Sequence, residues 1–438
     1  MMSTSIFSSG IALQPGMDIC QTDLPLDWYQ EELRPYAEEY LALPDRTPET
    51  VLPWLDGYAR RALDHFGDAL LLVAHYYMGG EIVKLVERYG GMVADSYALA
   101  VQAARHPEKK VIVESAVHFM AEAIAILARD DQQVWITNPK AGCTMEMMAK
   151  DHMVLPVADD LLARYGEDLT TIAYMNTSGR LKAIAGRTGG AVCTSSNAHL
   201  VMDWARKQGK KILFVPDEHL GRNTADRLGM DLSRVVRLPD MRVPRLISRD
   251  EWPALDNADV LLWASYCGVH TVFKEAHVRY WQRHGWRVLV HPESPLEVVR
   301  AADGQGSTSF LWREVMDAPR GSKFAIGTEG HFVRNLRDQA RSRGIEVVHL
   351  ASAPEPGLLR VAGCGCATMS RNDPPHLAGT LDLLRQGRGP DINRVLPGDV
   401  VDEATAVRDR LPANERASLK REAKLAMERM IEITEQRS

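Results

Sequence analysis

Apolar runs that stop before they could build a helix limit what this chain can fold into more than any other feature. Residues 70–74, 111–113, 211–215, 258–263, 287–290 and 323–326 are such runs. Short and unbroken, they read as strands buried on both faces, as in parallel sheets covered by helices. Amphipathic segments lie between them, 197–207 and 330–342 among others. Strand alternating with helix predicts βαβ units, right-handed crossovers and an α/β fold class.

The alternation repeats as a larger unit. Leu70-Leu71-Leu72-Val73-Ala74-His75 is followed by Asp95-Ser96, by Val111-Ile112-Val113 and by Cys143. Ile172-Ala173-Tyr174-Met175-Asn176 is followed by Thr194-Ser195-Ser196, by Ile212-Leu213-Phe214-Val215 and by Cys267. Val288-Leu289-Val290-His291-Pro292-Glu293 is followed by Gly306-Ser307-Thr308-Ser309, by Phe324-Ala325-Ile326-Gly327 and by Cys366. His75 to Ser96 has the same spacing as Tyr174 to Ser195, and His291 to Ser307 a shorter one. This pattern is domain duplication, and 438 residues suffice for three such units, each with its own core. The expected division is a lead-in over 1–65, then units over 66–150 (completed by 367–438), 151–267 and 268–366.

Composition excludes several classes. A formal net charge of −6 gives no reason to expect a nucleic-acid or anionic-membrane partner. No stretch approaches the roughly 18 apolar residues of a membrane span, and residues 1–16 carry neither the basic nor the apolar part of a secretory signal. On a chain this long without a signal, the six cysteines at 20, 143, 193, 267, 364 and 366 are expected reduced, in a cytoplasmic protein, and with no Cys-x-x-Cys any metal-binding thiolates come from distant parts of the chain. In the lead-in, Thr47-Pro48-Glu49 marks a helix start, and Trp54, Leu55, Tyr58, Ala62 and Phe66 fall on one face. The charged stretch 408–436 reads as a solvated, amphipathic closing helix.

Ligands of α/β sheets bind beyond the carboxyl ends of the strands. His75, Tyr174, Asn176, His291 and Glu293 stand at such ends, and each is followed by a Ser turn. Ser and Thr at helix starts either cap the helix or, facing a shared cavity, bind carboxylate or phosphate. Thr194-Ser195-Ser196-Asn197 and Gly306-Ser307-Thr308-Ser309 are the best examples. His75 lies beside Tyr77 and His291 beside Glu293, pairs able to move protons near neutrality, with His270 a weaker third. A single cysteine is ordinarily a packing residue. Three thiolates brought to one centre would hold three irons of a cubane and leave the fourth open as a Lewis acid; a zinc ion with an open position would use the same ligands. Gly304-x-Gly306 lacks the rest of a dinucleotide fingerprint, and there is no Walker loop.

The chain resembles the quinolinate synthase (quinolinate synthetase A) family over residues 68–385. The shared segments are Ala74-His75-Tyr76-Tyr77, Asp95-Ser96, His118-Phe119-Met120-Ala121-Glu122, Ala141-Gly142-Cys143, Tyr174-Met175-Asn176-Thr177-Ser178 and Cys193-Thr194-Ser195-Ser196-Asn197-Ala198. Further ones are Pro216-Asp217, Cys267-Gly268-Val269-His270, Val290-His291-Pro292-Glu293, Gly306-Ser307-Thr308-Ser309, Gly327-Thr328-Glu329 and Cys366-Ala367-Thr368-Met369. The resemblance implies three Rossmann-like α/β/α domains with parallel sheets around a pseudo-threefold axis. It implies condensation of iminoaspartate with dihydroxyacetone phosphate to quinolinate, phosphate and water in de novo NAD biosynthesis, with L-aspartate oxidase as an imine source. It further implies a 4Fe-4S cluster on Cys143, Cys267 and Cys366. His75, Ser96, Asn176, Ser195, His291, Ser307 and Thr308 would bind substrate, and Tyr77, Tyr174, His291 and Glu293 would be catalytic. Met78, Gly80, Ala94 and the Cys364-Gly365-Cys366 arrangement depart from the family pattern.

Two rival readings use the same thiols. A diphthamide-type radical enzyme also gathers one cysteine from each of three domains, and binding of S-adenosylmethionine distinguishes it. A non-catalytic iron–sulfur sensor leaves the strand-end polar groups without a purpose.

Overall fold

The computed structural model describes residues 24–240, 247–355, 358, 366, 368–401 and 408–436. Cys20, Cys364 and Ala367 lie outside the described residues.

The first sheet is built from β1 (Leu70–His75), β2 (Met92–Ala94), β3 (Val111–Ser115) and β4 (Gln133–Ile136), side by side in the order β4-β3-β1-β2 and all parallel. The second contains β5 (Leu169–Tyr174), β6 (Ala191–Cys193), β7 (Lys211–Val215), β8 (Val235–Arg237) and β9 (Val260–Leu262), ordered β6-β5-β7-β9-β8. The third contains β10 (Arg287–Val290), β11 (Gly304–Gln305), β12 (Lys323–Gly327) and β13 (Glu346–His349), ordered β11-β10-β12-β13. Helices flank all three sheets, so the α/β class and its threefold repetition stand as expected. A late strand, β14 (Arg394–Val395), pairs antiparallel with β4 and closes the edge of the first sheet.

Continuous apolar runs arise because both faces of each sheet are covered. Leu70, Leu72, Ala74 and Val113 face one core, while Leu71, Val73, Ile112 and Ile136 face another. In the third sheet Val288 and Val290 face one core, Leu289, Phe324 and Ile326 the other.

Register explains the matched spacings read from the sequence. His75 pairs with Ala94, Tyr174 with Cys193 and Val290 with Gln305. In each unit the serine stands at the second position past that partner: Ser96, Ser195 and Ser307. In each sheet the first strand lies between the second and third, so the connections leave in opposite directions at its carboxyl end. Such a switch point opens a crevice for ligand.

The helix expected from Thr47-Pro48 is Pro48–Phe66, with Thr47 extended at its N-cap and Pro48 in its first turn. The closing helix, Ala413–Glu435, is less solvated than its composition suggests. Leu419, Ala423, Ala426, Met427, Met430 and Ile433 are buried. It approaches helix Gly179–Arg187 so closely that a side-chain carbon on Gly186 would collide with the Glu422 backbone. Its Thr434 Oγ1 accepts a hydrogen bond from Asn197 Nδ2 at 2.9 Å, bracing the Thr194–Asn197 turn from behind.

Candidate active site

One cavity receives residues from all three units. His75, Tyr77, Asp95, Ser96, Phe119, Met120 and Cys143 come from the first. Tyr174, Asn176, Thr194, Ser195 and Cys267 come from the second, and His291, Glu293, Thr308 and Cys366 from the third, with Met369 beyond it. Of the residues the resemblance assigns to binding, catalysis or metal, all but Ser307 line it, while His270, the weaker third candidate, lies behind the lining. The Ser307 hydroxyl caps helix Thr308–Met316 by accepting from the Phe310 N–H at 3.4 Å, while Thr308 next to it reaches the cavity.

The two strand-end histidines share one local geometry. Tyr77 N–H donates to His75 Nδ1 at 3.2 Å, and Glu293 N–H donates to His291 Nδ1 at 3.4 Å. A ring nitrogen that accepts in this way carries no proton, so the donor of each neutral imidazole is Nε2. Burial keeps both rings neutral, pushing His75 down to about 4 and His291 down to about 3, against the pull of neighbouring carboxylates.

Glu293 sits at the centre of the polar network. Its Oε1 accepts from Tyr174 Oη at 2.5 Å, and its Oε2 lies 2.8 Å from His270 Nδ1. Burial opposes ionisation of Glu293, but the His291 and His270 imidazoles and the Tyr174 hydroxyl outweigh it and hold the carboxyl below its usual range. Since His291 is itself neutral, the compensation rests mainly on Tyr174 and His270. His270 Nε2 is 3.0 Å from Thr328 Oγ1, which is 3.1 Å from Tyr77 Oη. Tyr77, Thr328, His270, Glu293 and Tyr174 thus form one continuous polar line. Burial first, and Glu293 second, push both phenols well above their ordinary value, so both keep their protons.

The thiols of Cys143, Cys267 and Cys366 are close enough to perturb one another. Burial pushes all three upward, and Cys143 and Cys366 both raise Cys267. Cys143 caps the short helix Thr144–Met147, and Cys366 Sγ contacts Thr368 Oγ1 at 3.2 Å. Cys193 is fully buried in the main core at the end of β6, a packing residue. A second donor set overlaps the first: ligand atoms of Cys267, His270 and Glu293 lie within 4.8 Å of one another.

Three residues of consequence carried no role in the sequence reading. Asp95 lines the cavity and accepts from Ser309 Oγ at 2.7 Å, joining the first unit to the third. Thr328 joins Tyr77 to His270. Glu329 is fully buried and accepts from the Cys366 N–H at 2.9 Å. Thr328 and Glu329 directly follow β12 and Asp95 directly follows β2, so the signal for all three is a polar residue just past a strand's carboxyl end.

The family described as Quinolinate synthetase A protein matches residues 61–410. The quinolinate synthase of Streptomyces coelicolor is 37% identical over 421 residues, 95% of this chain and 98% of that one. That of Corynebacterium glutamicum is 39% identical over 334 residues, 75% of this chain and 79% of its own. That of Geobacillus kaustophilus is 38% identical over 361 residues, covering 82% and 92%.

Proposed function

The chain belongs to the quinolinate synthetase A family, and we propose that it condenses iminoaspartate with dihydroxyacetone phosphate to give quinolinate, inorganic phosphate and two waters. Reduced, cytoplasmic de novo NAD biosynthesis is the setting, with an L-aspartate oxidase supplying the imine. The observation that carries this reading is the meeting of three thiols and three sets of strand-end polar groups in one cavity.

The donor set suits a 4Fe-4S cluster on Cys143, Cys267 and Cys366. Three buried thiols that each resist ionisation need a cation to become thiolates. The described lining, moreover, contains Asp95 and Glu293 but no lysine or arginine. A substrate bearing carboxylates and phosphate needs positive charge that these side chains do not supply. When bound, the cluster supplies Lewis-acid chemistry through the iron that no cysteine holds.

The chain's own groups divide the remaining work. Ser96, Ser195, Ser307 and Thr308 stand at or beside the starts of helices Ser96–Arg105, Ala198–Arg206 and Thr308–Met316. Free N–H groups and the helix dipole there favour anionic oxygens. His75 and His291 donate from Nε2, and Asn176 adds an amide. Tyr174 and Tyr77 are proton donors at neutral pH, and ionised Glu293, with His291 beside it, receives protons. Both waters leave by proton movement, without an external oxidant or reductant.

Anaerobic turnover tests the reading: cluster-replete protein, dihydroxyacetone phosphate, and imine made enzymically or from oxaloacetate and ammonia should yield quinolinate. No product from protein that carries its iron and sulfide would overturn it. Iron and sulfide quantitation separates the thiolate trio from a single ion held by Cys267, His270 and Glu293.

A further inference from the structure

The family match begins at residue 61, yet the described chain ahead of it is tightly joined to the segment that follows Cys366. Tyr29 Oη donates to the Asp373 carboxylate, and the Tyr29 ring stacks on His376 with centroids 4.6 Å apart. Asp373 in turn caps helix Pro374–Arg385, accepting from His376 N–H at 3.1 Å and lying 2.6 Å from His376 Nδ1. Tyr36 Oη donates to Asp382 at 2.8 Å. Gly379 brings this helix so near the lead-in that a side-chain carbon there would collide with Leu33 and Tyr36.

The same contact reaches the Cys143 loop. Arg371 lies over the Trp28 ring, 5.6 Å from its centroid, and its Nη1 donates to the Lys140 carbonyl at 2.8 Å. Lys140 Nζ reaches back to the Trp28 carbonyl at 3.4 Å. Trp28 and Tyr29 therefore touch the chain beside two thiols, one from the first unit and one from the third: Lys140 leads into Cys143, and Arg371 and Asp373 follow Cys366.

We propose that the lead-in is a clasp that fixes the Cys366 segment against the Cys143 loop, with Tyr29 and Asp373 as positioning residues. The clasp neither touches substrate nor supplies a ligand. It narrows the positions open to the Cys366 thiol, and its use in holding a cluster rests on the function proposed above. A packing role alone would loosen the whole molecule evenly. A clasp loosens one thiol.

The full-length chain without metal, as wild type, Tyr29→Phe and Asp373→Asn, decides this by iodoacetamide labelling read cysteine by cysteine in peptide mass spectra. Both substitutions are small enough to keep the fold, and asparagine still caps a helix. Losing a hydrogen bond to a charged group should raise local opening, and with it Cys366 labelling, about tenfold, leaving Cys267 and Cys193 unchanged. An equal rise at all cysteines, or none at Cys366, overturns the clasp. Reconstituted variants should also lose iron to a chelator faster than wild type. Should wild type bind no iron at all, the cluster reading falls while the labelling still decides the clasp.

Discussion

Tyr174 Oη meets Glu293 Oε1 at 2.5 Å, joining the end of β5 to the loop after β10. A residue from the second unit thereby helps hold one from the third ionised, alongside His270. Glu293→Gln should keep iron content and lower kcat by about 10²- to 10⁴-fold, the range of a lost acid–base group. Anaerobic turnover checks it, and unimpaired turnover removes Glu293 from proton transfer.

Cys143→Ser, Cys267→Ser and Cys366→Ser should each abolish the iron–sulfur chromophore, since three ligands leave none to spare. Cys193→Ser should keep it, because that thiol is packed in the core at the end of β6. Electronic spectra of anaerobically purified variants give the answer, and a chromophore lost only with Cys193 reverses the assignment.

Glu114 on β3 is fully buried, and neither carboxyl oxygen has a hydrogen-bond partner among the described residues. Burial pushes its pKa well above the ordinary value, so folding favours the protonated form. Stability is then lost as the pH rises above the unfolded value of about 4.5. Glu114→Leu should stabilise the protein at pH 7 by about 1–3 kcal/mol and less at pH 4, as read from denaturant midpoints. A stability loss at pH 7 would show that this carboxyl has a use.

His75, His291 and His349 give the opposite slope. Burial lowers them from 6.5 to about 4, 3 and 4 respectively. The unfolded chain binds these protons first, so the stability they carry is whole above about pH 6.5 and falls away towards pH 4. Denaturant unfolding of the metal-free protein at pH 5 and pH 7 should differ by a few kcal/mol. His349→Gln, outside the cavity lining, should reduce the difference, and a pH-independent midpoint would contradict it.

Sheet membership and the strand-end residues were legible because both rest on local pattern: an apolar run, a polar stop and a serine at fixed register. His75, Tyr174 and His291 were visible for that reason. Asp95, Thr328 and Glu329 were not, because their meaning lies in partners far along the chain: Ser309, His270 and Cys366. The closing helix was read as solvated and amphipathic from its charge, whereas how closely it packs depends on a distant glycine, Gly186, whose missing side chain admits the Glu422 backbone. At the start of helix Thr308–Met316 the pattern did not say which residue does what: the Ser307 hydroxyl caps the helix, and Thr308 beside it lines the cavity.

The pairing of β14 with β4 has a consequence for how far the repeated units are separable. Arg394 lies opposite Trp135 in that ladder, so the first sheet is finished by chain that arrives after the third. Three look-alike modules are therefore interlocked rather than strung in series. A fragment ending near residue 150 would bare the outer edge of β4 as an open template for strand addition, and it should self-associate instead of folding alone.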